Sequence, residues 1–350
     1  MQLSNEHMRI LDDLATTYES CVQAQRSLAA GPADARWRMI AGAEYLYEFV
    51  AGDARTSIGP RSAATENEFA ARAAIRGSLE DRIAGAQARL EILASQYRAL
   101  RLPRVDVMVG KICRAADLRG MLGTQLLVVG TNALPAYEIE AQVRFANGMN
   151  ETQDCDFTWC QGAQFTTMTT PEAVARPFFS MLRSVDESFT VNMEKEFQAR
   201  NRDAYEVELL MAPSLTASYP PGESIRPVPL PEQEWLLLGR PLRHVVLDRR
   251  NEPVPLHVPD PRWMALHKLW LSDKPGRNAR KVAKDRAQGE AIARAVVESM
   301  PGYPIDAEFL HQVPAELKPY LNRFPQKLSA AGTDSAQFGR PGISIRGPKR

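Results

Sequence analysis

The chain has 350 residues, with 43 Lys and Arg against 42 Asp and Glu, a formal net charge of +1 and 44% hydrophobic residues. That size admits two or three domains with a substantial core, and so even a balance excludes a global field drawing the chain to nucleic acid or membrane, leaving only local patches. No apolar run is long enough for a bilayer, the opening MQLSNEHMRILDDL lacks the layout of a secretory signal, and Cys21, Cys113, Cys155 and Cys160 form no C-x-x-C pair, so we expect no zinc site, no disulfide framework, no membrane partner and a cytoplasmic setting.

In chain order, residues 1–105 read as helices. Leu11, Leu14, Tyr18 and Val22 recur at helical spacing, as do Trp37, Ile40, Tyr47 and Val50 with less regularity. Ile75, Leu79, Ile83, Ala86, Leu90, Leu93, Tyr97 and Leu100 advance in steps of three and four, a narrow apolar seam expected to pack against other helices. Between them, GDARTSIGPRSAATENE (52–68) reads as a loop long enough to have a role; its Arg61 is either a phosphate contact or an ordinary exposed arginine. Leu102-Pro103 ends the helical region, and 111–122 is expected to form a short helix stopped by Gly123.

The chain is organised around residues 125–158. Leu126 to Val129 is an apolar run that reads as a buried strand. Gly130-Thr131 breaks it, and a helix is expected from near Asn132, with Thr131 or Asn132 as cap and Pro135 in the first turn, where a missing N–H costs little. A second strand carries Asp154-Cys155-Asp156-Phe157. Alternation puts Asp154 and Asp156 on one face and Cys155 and Phe157 on the other, with Cys155 and Cys160 read as small buried residues. Two carboxylates side by side repel each other, and a divalent cation bridging substrate phosphates would relieve that repulsion. The alternative is a solvated strand face behind an ordinary turn.

Downstream, 169–185 reads as a helix ended or kinked near Pro177, and 188–193 as a strand. Residues 204–211 read as another strand, with Tyr205, Val207 and Leu209 on one face and Glu206, Glu208 and Leu210 on the other. A Pro- and Ser-rich loop covers 211–233, strands are expected at 234–238, 244–247 and 254–258, and Asp260 caps a helix running to Leu271, with Trp263, Leu266 and Trp270 in the core. The basic run 274–286 puts Lys281 and Lys284 a turn apart with Arg277 just before them; it is either a solvated helix face or a cluster that neutralises a triphosphate or an acidic acceptor. Two short helices are expected near 305–312 and 315–324, and the Gly/Pro-rich, basic stretch 328–350 reads as a disordered tail. There is no internal repeat, phosphate loop, dinucleotide fingerprint, zinc pattern or Ser/His/Asp arrangement with a motif context.

The order apolar strand, Gly-Thr, helix, D-x-D strand resembles the nucleotidyltransferase superfamily that includes polymerase β, and within it a bacterial nucleotidyltransferase-fold family. The resemblance is carried by VVGTNALPAYE (128–138) and TQDCDF (152–157). It is supported by YLYE (45–48), IGPRS (58–62), PDPRWMALHKLWLS (259–272) and KVAKDRAQGEAI (281–292), so it spans roughly 40 to 300. It implies an α+β fold: a mixed-sheet core over 106–246 flanked by helical regions at 1–105 and 247–327. It implies Mg²⁺ (or Mn²⁺) held by Asp154 and Asp156, with the Gly130-Thr131 backbone cradling phosphates. It also lifts Lys268, Lys281 and Lys284 above other lysines as nucleotide contacts. A later strand in the superfamily supplies a third carboxylate, usually Asp, as third metal ligand or base for the acceptor hydroxyl; here the matching residue is Glu208, one methylene longer, with Glu206 as fallback.

The expected reaction is transfer of a nucleoside monophosphate from an NTP to an acceptor hydroxyl on a small molecule, RNA or protein. The rival expectation is a nucleotide-binding or interaction module that has lost the chemistry, within a toxin–antitoxin or defence pair, using the helical regions as its protein interface.

Overall fold

The computed structural model describes residues 3–31, 34–49, 55–146, 149, 154–163 and 177–325. Helix α1 (Asn5–Ala30) is capped by Ser4 and buries Ile10, Leu11, Leu14, Tyr18 and Val22. It packs against α2 (Ala63–Ala99). Residues 34–60 between them are not helix and loop, as expected, but a three-stranded antiparallel sheet: β1 (Asp34–Ile40), β2 (Ala43–Phe49) and β3 (Arg55–Pro60). Ala41 and Gly42 turn between β1 and β2 with φ of +50° and +83°, the left-handed pair that suits the twist of a two-residue hairpin. The sheet sits on the first turns of α2, where Trp37 meets Phe69 at 5.9 Å. Arg61 lies over Trp37 and is paired with Glu44 and Glu66, so it is occupied within this unit. At 37 residues α2 is about 55 Å long. The apolar seam is buried only in its C-terminal half, at Leu90, Leu93 and Tyr97, while Ile75 is 52% exposed.

The central sheet has the order β5-β6-β9-β8-β7. Its strands are β5 (Leu126–Val129), β6 (Asp154–Trp159), β7 (Thr190–Asn192), β8 (Lys195–Arg200) and β9 (Glu206–Met211). β6 runs antiparallel to β5 and parallel to β9, so the sheet is mixed, and the fold is α+β as expected. The connection from β5 to β6 passes through a 3₁₀ turn, Gly130–Ala133, and α4 (Leu134–Glu140). Helix α3 (Val107–Leu118) precedes β5, starts on an Asp106 cap and ends three residues before the expected stop, on Gly120 at φ +68°. After the sheet, β10 (Val228–Pro229) adds parallel to β9. The expected strand at 234–238 is instead a 3₁₀ helix, Pro231–Leu237, opened by its proline.

A second sheet joins β11 (Leu242–Asp248) to β12 (Pro253–Val258) and to β4 (Arg104–Val105), so β11 runs through residue 246 without a break. Helices α6 (Pro261–Asp273) and α7 (Ala279–Ser299) form a hairpin, followed by α8 (Ala307–Gln312) and a 3₁₀ turn, Lys318–Arg323. One buried apolar cluster extends from Leu3 to Phe324, so the helical and sheet regions share a core. All four cysteines are buried and free. The helix expected over 169–185 is described only as α5 (Phe178–Val185), since 164–176 lie outside the described residues, as does the expected tail. Among the described residues no helix is long and apolar enough to cross a membrane.

Candidate functional site

The parallel register of β6 and β9 sets Asp154 beside Glu206 and Asp156 beside Glu208. Adjacent strands lie about 4.8 Å apart, so four acidic side chains stand on one face of two neighbouring strands. Cys155 and Phe157 point the other way into the core, fully buried. Asp156 is the most constrained of the four. Its Oδ1 is shut away from solvent with no hydrogen-bond partner among the described residues. Burial, then Asp154, then Glu208 push its carboxyl up to about 7, against the opposing pull of Lys268 and Lys281. Charge on this face is therefore held at a cost that a cation would remove.

Gly130 closes over the same carboxylate. Its φ is +68°, and a Cβ at this position would overlap Asp156 Oδ2, so only glycine brings the backbone this close. Thr131 and Asn132 follow, and neither caps α4 as expected. Asn132 Nδ2 donates to the Asp154 carbonyl at 2.8 Å, tying the turn after β5 to the start of β6. Thr131 Oγ1 accepts from Gln288 Nε2 at 3.3 Å, and Gln288 also donates to the Met149 carbonyl at 2.7 Å. Pro135 does sit in the first turn of α4.

The opposite wall is the α6–α7 hairpin. Lys268 is buried and its Nζ donates to Asp285 Oδ1 at 2.8 Å, while Arg277 Nε donates to Asp285 Oδ2 at 2.7 Å. Burial would raise the Asp285 carboxyl, but Lys268 and Arg277 together outweigh it and hold it below its ordinary value. Lys281 is exposed and Lys284 half-buried on α7, whose cap is Asn278. Burial and then repulsion from Lys268 lower the Lys284 ammonium, and the attraction of Asp154 works against that. The structure thus brings Lys268, Lys281 and Lys284 within electrostatic reach of the acidic face, with Lys268 already engaged by Asp285.

Glu208 is engaged as well. Gln198 of β8, fully buried, lies opposite it; Gln198 Nε2 donates to Glu208 Oε1 at 3.0 Å and to Glu206 Oε2 at 3.2 Å. Asn192 Nδ2 orients that amide by donating to its Oε1 at 2.7 Å. The amide draws both glutamates toward β8, and among the described residues no three or more His, Cys, Asp and Glu converge as a metal-holding group. The donor chemistry nevertheless suits a hard cation such as Mg²⁺ or Mn²⁺: adjacent carboxylates, one with an orphaned buried oxygen. Glu208 would join them only by leaving Gln198.

Three residues of this neighbourhood were not singled out from the sequence. Gln198 and Gln288 carry no motif, because their partners are set by strand register and helix packing. Asp285 stands at the end of K-V-A-K-D, where its place beside two lysines was a usable signal. A family model described as Nucleotidyltransferase matches residues 107–311, from the first residue of α3 to α8, and leaves the N-terminal helices and sheet outside it. No curated protein and no solved structure matches the chain.

Proposed function

Since this chain belongs to the nucleotidyltransferase family, we propose that it transfers a nucleoside monophosphate from an NTP to an acceptor hydroxyl at the Asp154/Asp156 face. The observation that carries this reading is the β6–β9 register, which sets Glu208 beside Asp156 and faces the acids toward the lysines of α7. Asp154 and Asp156 would hold Mg²⁺ (or Mn²⁺), which would supply positive charge against the phosphates. The Gly130 backbone, bare of a side chain beside Asp156, would meet a phosphate, and Lys281 and Lys284 would supply positive charge from the other wall. Lys268 acts at one remove, holding Asp285 and with it the base of α7. Glu208, released from Gln198, accepts the acceptor's proton. The acceptor oxygen then bonds to the α-phosphorus, the α–β bridging bond breaks, and pyrophosphate leaves.

One observation favours a second reading, a nucleotide-binding module without transfer: Glu208 is held by Gln198 rather than turned to Asp156. A transfer assay separates the two. Wild type, Glu208→Gln and Glu208→Asp are incubated with labelled NTPs, Mg²⁺ and cell extract. Transfer predicts loss of about 10²–10⁴-fold in rate for Glu208→Gln, the usual cost of a missing general base, with NTP binding nearly intact and partial activity in Glu208→Asp. Equal labelling by wild type and Glu208→Gln would remove Glu208 from the chemistry, and no labelling by any of them favours the binding module.

A further inference from the structure

Five arginines line one cleft away from the acidic face. Arg98 and Arg101 stand at the end of α2, Arg104 opens β4, Arg144 follows α4 and Arg249 follows β11; with Leu102 they enclose about 600 Å³. The chain is folded to bring them together. Arg101 is a non-glycine residue at φ +55°, a strained turn that reverses the backbone between α2 and β4. The Arg249 N–H donates to the Val105 carbonyl at 3.1 Å, fixing the end of β11 beside β4.

The charge of this cluster is barely answered from within. Arg98, Arg101, Arg104 and Arg249 are exposed and enter no ion pair among the described residues. Arg144 alone is paired, with buried Glu138 at 3.2 Å, and also donates to the Arg101 carbonyl. The buried Asp248 nearest Arg249 in sequence is taken by Arg114 at 3.0 Å. In a chain whose net charge is only +1, such a concentration of unpaired guanidinium groups is a local anion trap. Guanidinium forks match phosphate oxygens two by two. Among the described residues no aromatic ring lines the cleft, so none of them stacks a base there. Arginines from four separate segments suit successive phosphates along a backbone better than one compact group.

We propose that the arginine cleft binds the phosphodiester backbone of a nucleic acid. Arg144 also lines the adjoining groove against α7, with Phe145, Arg294 and the acids Glu290 and Glu298. The same helix carries Gln288, bonded to Thr131, and then Lys284 and Lys281. α7 runs from this groove to the acidic face, the direction a strand held on the arginines would take. That this strand is the acceptor rests on the transfer reading above; the binding itself does not.

The test is fluorescence anisotropy of a labelled RNA stem-loop with the full chain between roughly 50 and 200 mM KCl. Affinity should fall linearly on a double-logarithmic salt plot, and Arg104→Ala with Arg249→Ala should flatten the slope by about 2, one for each lost phosphate contact. Arg226→Ala, an exposed arginine paired with Glu196 elsewhere, should leave the slope unchanged. Mg²⁺–ATP should not displace the RNA. Absence of RNA binding, an unchanged slope in the Arg104/Arg249 variant, an equal loss in Arg226→Ala, or displacement by equimolar ATP would each overturn the proposal. If RNA binding depends on these arginines while wild type transfers no label, the transfer reading falls and the cleft stands.

Discussion

Asp285, buried, and Asp156, half-buried with one oxygen shut away from solvent, stand on facing walls of the same site, and the protein treats them in opposite ways. Asp285 has a lysine on one oxygen and an arginine on the other, and its carboxyl is held below the ordinary range despite burial. Asp156 has acids for neighbours, one oxygen with no partner among the described residues, and a carboxyl pushed up to about 7. The first arrangement is complete within the chain and stabilises the α6–α7 hairpin. The second is incomplete within the chain: a proton answers it at low pH, and under the function proposed above a cation answers it when it is ionised. Buried charge alone does not mark a functional site; buried charge left unanswered does.

The largest effect that would break this contrast is on the answered side. Lys268→Ala should cost about 3 kcal/mol in urea unfolding, the low end for a broken buried pair because Arg277 stays on Asp285. A loss under about 1 kcal/mol, the range of exposed pairs, would mean that Asp285 is not held as described. Next is Gly130→Ala, which forces a left-handed alanine against Asp156 Oδ2 and should cost about 1–3 kcal/mol at an unchanged denaturant slope. An unmoved midpoint would show that the turn does not press on the carboxylate.

The smallest effect sharpens the contrast through pH. Asp156 titrates from a reference value of 3.8 but folds to about 7, so the native state keeps a proton that the unfolded chain has released. Its contribution therefore falls as pH rises between about 4 and about 7. His257 and His267, pushed by burial from 6.5 to about 3, run the other way, adding stability as pH rises across about 3 to 6.5. The effect must then be read as a difference. Asp156→Asn should melt a few degrees above wild type at pH 8, with the gap closing toward pH 5. A gap independent of pH would remove the strain assigned to Asp156.

How far the sequence revealed this depended on whether a pattern was local. The four-residue apolar run of β5 and the alternation of Asp154-Cys155-Asp156-Phe157 are local, and both strands fold as read. The lysines of α7 also followed from helical spacing after Asn278. The small N-terminal sheet was missed because its hairpin turns on Ala41-Gly42. The usual Asn-Gly or Asp-Gly signal is absent there, and Trp37, Ile40 and Tyr47 imitate helical spacing. The apolar run Trp235-Leu236-Leu237-Leu238 suggested a strand, although Pro231 sets a 3₁₀ turn in front of it. Gln198 on Glu208 was not legible at all, since it depends on the register of β8 against β9. The seam of α2 was legible as helix but not in its burial, because α1 covers only part of a helix this long.

The most direct test of the acidic face as a metal-dependent nucleotide site is calorimetric titration of NTP at pH 8, with and without Mg²⁺, into wild type and into Asp154→Asn with Asp156→Asn. Binding to wild type is expected only with Mg²⁺ or Mn²⁺, with loss of that metal-dependent part in the double variant, which should still unfold cooperatively because removing two clustered like charges relieves repulsion. Equal NTP binding by both proteins, or binding to wild type that ignores the metal, would contradict it.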